Sequence, residues 1–314
     1  MQKDSKAFTI IGGGFGLYGY LPLILNVSKN LIIIPSRYKK KFDSRSELRK
    51  YKDKIRWCTT VKGALNQASF AIIATPPKAQ RKLIETILGS KSINYLILEK
   101  PLCENPIDSA VVLKRVQSSK IKFRIGYTFL YTDWFKNLKK NLKNRRNINR
   151  ESLKISWSFQ ADHFVKNKDT WKKKHSLGGG AIRFYGIHCL AVLAALGYEK
   201  VKSSVLHYLK FDEPNIWEAE FSGKLLPNCQ IQIQTNEPNS IFSIEIYRPN
   251  NSHRQIYKGI SPFFSTSPLT EQDPRTSVIE RLYNSLFYTK MNYKNIYKST
   301  NRLWQASENF IQIK

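Results

Sequence analysis

Gly12, Gly13, Gly14, Phe15, Gly16, Leu17, Tyr18 and Gly19 follow an apolar, β-type run and open a helical one. Gly14, Gly16 and Gly19 have the spacing G-x-G-x-x-G. That spacing permits a tight turn, backbone approach to a pyrophosphate with no Cβ in the way, and close packing of helix on strand. It predicts a dinucleotide site at Gly14, Phe15, Gly16, Leu17 and Tyr18. The second predicted strand ends at Ile34, where an acid would take the ribose hydroxyls of NAD. The chain instead reads Pro35, Ser36, Arg37, Tyr38, Lys39, Lys40. A serine and a cation there suit a 2′-phosphate, so Ser36 and Arg37 predict NADP, with NAD as the alternative.

Three further motifs carry groups able to do chemistry. Ala74, Thr75, Pro76, Pro77 close the fourth predicted strand, and Glu99, Lys100, Pro101 close the fifth. Trp171, then Gly178, Gly179, Gly180, Gly186 and His188, open a long apolar helix. Ligands of open α/β sheets sit outside the carboxyl ends of the strands, which is where Lys100 falls, and Pro101 favours an extended Lys100. Cys58, Cys103, Cys189 and Cys229 lie far apart without metal-ligand spacing. No metal site is predicted, and reduced thiols point to the cytoplasm.

The elements that must position these groups are read from hydrophobic rhythm. Over the first 125 residues, β-rich runs at Phe8 to Ile11, Leu31 to Ile34, Ile55 to Cys58, Phe70 to Ala74, Tyr95 to Leu98 and Ile121 to Ile125 alternate with helical stretches. This predicts an α/β fold with an N-terminal Rossmann domain, a doubly wound parallel sheet over residues 1–125. Residues 126–314 predict a substrate-binding α+β domain with a mostly antiparallel sheet. Its expected strands are Leu153 to Phe159, Val201 to Phe211, Ile216 to Phe221, Cys229 to Thr235 and Ile241 to Tyr247, with a helix from about Gly180 to Leu196. Val278 to Phe287 and Thr300 to Ile311 read as helices.

The 314 residues carry 52 Lys and Arg against 23 Asp and Glu, a formal net charge of +29. Hydrophobic residues at 41% exclude a disordered or fibrous chain. The basic excess is spread evenly, +16 over residues 1–124 and +13 beyond, so a nucleic-acid module, which concentrates charge, is not expected. The densest basic run, Lys136 to Arg150, reads as a solvated helix and loop. Glycines interrupt the apolar stretch Phe8 to Val27, so neither a signal peptide nor a transmembrane segment is expected.

Taken together, the glycine loop, the Thr75-Pro76 turn, the Glu99-Lys100-Pro101 motif and the glycine-histidine helix resemble the Gfo/Idh/MocA oxidoreductase family over about Phe8 to Leu196. The resemblance implies that Thr75, Pro76, Glu99 and Lys100 line the cofactor and that Lys100 hydrogen-bonds the substrate hydroxyl that becomes a carbonyl. It implies that His188 acts as general base or shares that task. The family usually places an acid four residues before this histidine and another three after it; here Phe184 and Ala191 stand there. A histidine often found after the Thr-Pro-Pro turn is replaced by Gln80. Tyr185 is the remaining catalytic candidate, one turn before His188. Tyr127, Trp157, Asp162, His163 and Trp171 are candidates for sugar recognition, alongside Lys100 and His188. The family's second-domain sheet often forms a homo-oligomer interface.

The resemblance leaves three readings. The first is an oxidoreductase moving a hydride between a nicotinamide and a secondary alcohol or ketone of a sugar, cyclitol or nucleotide sugar, as in polysaccharide synthesis. The second is a cofactor-binding member without turnover that acts as a regulatory or scaffold protein. The third is a basic adaptor bound to nucleic acid or membrane.

Overall fold

In a computed structural model, residues 7–143, 151–250, 252–264, 273 and 275–313 are described. The chain divides into two compact units. The first comprises Met1–Cys103, Val111–Gly126 and Arg275–Met291; the second comprises Glu104–Ala110, Tyr127–Pro274 and Asn292–Lys314. The segment Arg275–Met291 thus belongs to the first unit although it follows most of the second in sequence.

The first unit is built on β1 (Phe8–Ile11), β2 (Ile32–Pro35), β3 (Ile55–Cys58), β4 (Phe70–Ile73), β5 (Tyr95–Leu98) and β6 (Lys122–Ile125). All pair in parallel in the order β3-β2-β1-β4-β5-β6. That order is the doubly wound Rossmann arrangement, in which the direction of winding reverses between β1 and β4. β1, β2 and β4 are buried at every position, as expected of strands covered on both faces. The helices are α1 (Leu21–Val27), α2 (Lys39–Asp43), α3 (Val61–Asn66), α4 (Pro77–Leu88) and, from Val111 on, α5 (Pro106–Ser118). Proline starts α4, and Gln80, Ile84 and Ile87 form its buried stripe.

The second unit carries a seven-stranded sheet of β7 (Ser152–Gln160), β8 (Tyr198–Lys210), β9 (Glu213–Gly223), β10 (Asn228–Gln234), β11 (Asn236–Tyr247), β12 (His253–Gly259) and β13 (Ile311–Ile313). Its order is β12-β11-β7-β10-β9-β8-β13, antiparallel except for the β7·β10 and β8·β13 pairs. The edge strands β12 and β13 were not legible as strands. Its helices are α6 (Asp133–Lys143), α7 (Asp162–Val165) and α8 (Ile187–Leu196). α6 buries Trp134, Phe135, Leu138 and Leu142 and exposes Lys136, Lys140 and Lys143, so this part of the basic run is a solvated face. Arg145, Arg146 and Arg150 lie outside the described residues. The stretch His175–Leu196 is apolar and long enough to cross a membrane, but 67% of its most apolar window is buried inside the fold.

Two helices follow residue 275. α9 (Thr276–Asn284) packs on the first unit's sheet through Tyr283, whose ring lies 5.5 Å from that of Phe70, and Arg124 donates to the Ser285 hydroxyl at 2.9 Å. α10 (Tyr293–Asn309) packs on α8 in the second unit.

Glu308, on α10, ties that helix to the segment that leads into α8. Arg183 grips both carboxylate oxygens, at 2.7 and 2.9 Å, and donates to the His175 carbonyl at 2.8 Å. His175 and Trp304 add contacts to the carboxylate at 3.2 and 2.9 Å. Burial raises the Glu308 pKa, but the hydrogen bonds and charges of Arg183 and His175 outweigh it and hold the group down at about 2. Its stabilisation is therefore complete above the ordinary glutamate pKa and lost as pH falls toward 2. Urea unfolding across this range is expected to show this group contributing about 3 kcal/mol. Glu308→Gln should remove that pH dependence and, by stranding Arg183, cost about 3–5 kcal/mol at neutral pH.

Candidate active site

The glycine loop joins β1 to a π-helical turn, Gly16–Tyr20, that continues into α1. Single π turns within helices are frequent at functional sites. Gly12 has φ +152°, and a Cβ there would lie 2.2 Å from the carbonyl oxygen of Ala74, at the end of β4. Gly14 is exposed, with nothing within 4 Å of the position a Cβ would take. Gly16 packs helix on strand, its Cβ position 3.0 Å from Ile10 Cγ2. The tight turn, the open approach and the close packing thus fall on Gly12, Gly14 and Gly16, a register starting two residues before the Gly14, Gly16, Gly19 phasing. Gly19 instead makes room for the ring of Phe15, 2.3 Å from its Cβ position.

The other predicted cofactor residues surround this loop within the same unit. Leu17 is fully buried, and Phe15 and Tyr18 are half-buried. Ser36 and Arg37 are exposed in a 3₁₀ turn directly after β2. Arg37 lies over the Tyr38 ring, 4.8 Å from its centre, and donates to its hydroxyl at 2.6 Å. Tyr38 and Lys41 in turn border Gly13, at 3.0 and 2.8 Å from its Cβ position. At the end of β4, the Thr75 hydroxyl is buried with no hydrogen-bond partner among the described residues, and Pro76 is exposed. An open glycine in the loop after β1 and an orphaned hydroxyl at the end of the neighbouring β4 fit the phosphate-bearing part of a dinucleotide.

Glu99 and Lys100 follow β5. Tyr20 donates to Glu99 at 2.6 Å, the Lys100 amide donates at 3.4 Å, and a Cβ on Gly126 would come within 2.7 Å of the carboxylate. Burial raises the Glu99 pKa against the opposing charge of Lys100 and the Tyr20 bond; burial and Glu99 push the Tyr20 phenol well above its ordinary value. Tyr20 is thus a permanent donor that orients Glu99 beside Lys100. The fully buried Gln80 donates to the carbonyls of Glu99, Pro101 and Leu102 at 2.6, 3.3 and 3.2 Å. It clamps the turn that carries Lys100, whose bond to Pro101 is cis.

In the second unit, the glycines fold the Trp171 loop onto the start of the helix. Gly179 leaves only 2.2 Å between its Cβ position and the Trp171 carbonyl oxygen, and Gly180 (φ +76°) donates to the Lys172 carbonyl at 2.8 Å. A second π-helical segment, Ala181–Gly186, precedes α8. It presents Phe184 edge-on to Trp171, with ring centres 5.3 Å apart, and Tyr185 to Phe159 and Trp157 at 4.9 and 5.5 Å. Buried His188 stacks on Phe129 at 4.6 Å, and Phe129 meets Trp157 at 5.4 Å. Trp157 therefore links the surroundings of His188 and Tyr185. Burial pushes the Tyr185 phenol far up, so this hydroxyl keeps its proton and serves as a hydrogen-bond donor. Tyr127 lies in the unit's core, 3% exposed and edge-on to Tyr297.

No protein-family model and no curated protein matches the chain. Solved structures do. GenD2 from gentamicin A biosynthesis, in complex with NAD, superposes with a TM-score of 0.70 at 12% identity, over 97% of this chain and 94% of its own. The oxidoreductase TM0312 from Thermotoga maritima gives 0.74 at 15% identity, over 97% and 96%. KijD10, a 3-ketoreductase from Actinomadura kijaniata with NADP and TDP-benzene, gives 0.70 at 12% identity, over 98% of each chain. The chain shares the fold of NAD(P)-binding oxidoreductases.

Sequence reasoning missed Gly12, the Tyr20 donor and Arg275. Arg275 lies over the Phe15 ring at 4.3 Å, within the first unit, as Arg45 lies over Tyr18 at 4.8 Å. Gly12 was visible as the residue ending β1, but nothing local announces an arginine 260 positions away from the loop. The steric roles can be separated. Gly14→Ala should leave thermal stability unchanged and weaken dinucleotide binding about tenfold or more. Gly12→Ala should destabilise the fold by about 3 kcal/mol or more, because its Cβ meets backbone.

Proposed function

We propose that the chain is an NADP-dependent oxidoreductase acting on a secondary alcohol or ketone of a sugar, cyclitol or nucleotide sugar. The observation that carries this reading is the edge of the first unit's sheet: open Gly14, the orphaned Thr75 hydroxyl and Lys100 follow β1, β4 and β5 there. The shared oxidoreductase fold and the motif resemblance to the Gfo/Idh/MocA family support it.

When bound, the nicotinamide supplies the carbon that gives or takes the hydride. The glycine backbone and Thr75 hold phosphate oxygens, while Ser36 and Arg37 take the 2′-phosphate. Lys100 donates to the substrate oxygen and stabilises negative charge developing on it. Glu99, fixed by Tyr20, and Gln80 hold that lysine in place. His188 takes the hydroxyl proton in oxidation and returns it in reduction. Tyr185 stays protonated and donates a hydrogen bond, replacing part of what an acid at position 184 would contribute to orientation.

Fluorescence titration should give a lower Kd for NADPH than for NADH, and Arg37→Asp should cost NADPH about tenfold or more. A preference for NADH overturns the NADP assignment. Lys100→Met should lower turnover about 10²–10³-fold with NADPH affinity retained. NADPH binding without turnover on a panel of sugars and nucleotide sugars would favour the regulatory reading.

A further inference from the structure

The second unit gathers cations on aromatic faces around the Trp171 loop. Lys172 places its ammonium over Phe184, 5.4 Å from the ring centre, and Lys173 places its own over Phe164 at 4.9 Å. His163 lies 4.8 Å from Phe164 and 6.4 Å from Tyr185, while Tyr185 abuts Phe184 at 4.8 Å. These rings join the two lysines and the histidine into one patch, bounded by Trp171.

Lys173 is only 8% exposed, and it has no ion pair among the described residues. The nearby carboxylates make their ion pairs and hydrogen bonds with other groups, Asp162 with Lys166 and Lys168, Glu213 with Lys174 at 2.8 Å, and Asp212 with the Ser176 amide at 2.7 Å, while Asp162 also acts on Lys172 and His163 through its charge. Burial, with the charges of Lys172 and Lys173, depresses the His163 pKa to about 4, so the imidazole is neutral near pH 7. The stem of Lys173 is buried and its ammonium lies over the Phe164 ring, which attracts the charge without neutralising it, so an anion reaching that ammonium meets a cation still able to pair. The flat faces of Trp171 and Phe184 offer apolar surface to the body of the molecule that bears this anion.

We infer that Trp171, Lys172, Lys173, His163 and Phe184 form a subsite for an anionic group, a carboxylate or phosphate, carried by a sugar-type substrate. The inference rests on the oxidoreductase reading for the identity of that substrate, but anion binding is measurable without it. Lys173 supplies the charge in the least solvated setting, and Lys172 supplies a second charge on the face of Phe184. An uncharged His163 adds a hydrogen-bonding edge that does not compete for the anion's counter-charge.

The test is calorimetric titration of the full-length, cofactor-free chain with glucose, glucuronate, glucose 6-phosphate and UDP-glucose, with NADPH affinity measured separately. Glucuronate reports a carboxylate, and the other two anionic probes report phosphate. At least one anionic probe should bind at least tenfold more tightly than glucose, and Lys173→Gln should abolish that advantage. Lys173→Arg should retain it, and NADPH affinity should be the same in both variants. Equal affinity for glucose and all three anionic probes overturns the subsite. So does the absence of anionic binding at millimolar concentration, or an advantage that survives in Lys173→Gln. Loss of NADPH binding in the wild-type chain would instead overturn the oxidoreductase reading and leave the anion result standing.

Discussion

The backbone of Gly12 passes so close to the carbonyl of Ala74 that a Cβ would lie 2.2 Å from its oxygen. This contact sits where β1 and β4 run side by side and the winding of the sheet reverses. The loops leaving the two strands diverge there, which opens the crevice expected of such sheets. The exposed backbone of Gly14 and the buried hydroxyl of Thr75 depend on that divergence. So does the turn after β5, where Lys100 is held through its neighbours by Tyr20 and Gln80.

A second constraint is the scarcity of carboxylates. With 52 basic side chains and 23 acidic ones, more than half the cations cannot pair one to one with an acid. Several also lie on aromatic rings, as Arg37 does on Tyr38, Arg275 on Phe15 and Lys172 on Phe184. A ring attracts a cation without neutralising it. Glu308 is the counter-example, committed to Arg183 and His175 and serving to fasten α10. The same chemistry that lets an evenly basic chain fold leaves local positive seats near the glycine loop and the Trp171 loop.

Phe184 changes the meaning of the helix that carries His188. An acid at that position would charge-stabilise the imidazole, whereas the phenyl ring meets Trp171, Tyr185 and the ammonium of Lys172. The surroundings of this ring are therefore aromatic and cationic, and the packing around His188 and Tyr185 is made by rings, Phe129 on the one and Phe159 and Trp157 on the other.

The sequence by itself determined that there are two sheets and where most of their strands run, because buried parallel strands read as short apolar runs and the second domain's strands alternate; the order of the strands, including the parallel β7·β10 pair, came from the tertiary structure. It also marked Lys100 and His188, whose motifs are contiguous. β12 and β13 escaped because edge strands carry little hydrophobic pattern: β12 is exposed at His253, Arg254 and Gln255. The glycine register was ambiguous because five glycines lie from Gly12 to Gly19, and only the approach of Ala74 selects Gly12. Arg275 and the Lys173 seat were decided by tertiary structure alone. Their partners, Phe15 and Phe164, are brought to them by packing of distant segments, and neither a cation nor a ring signals its partner along the chain.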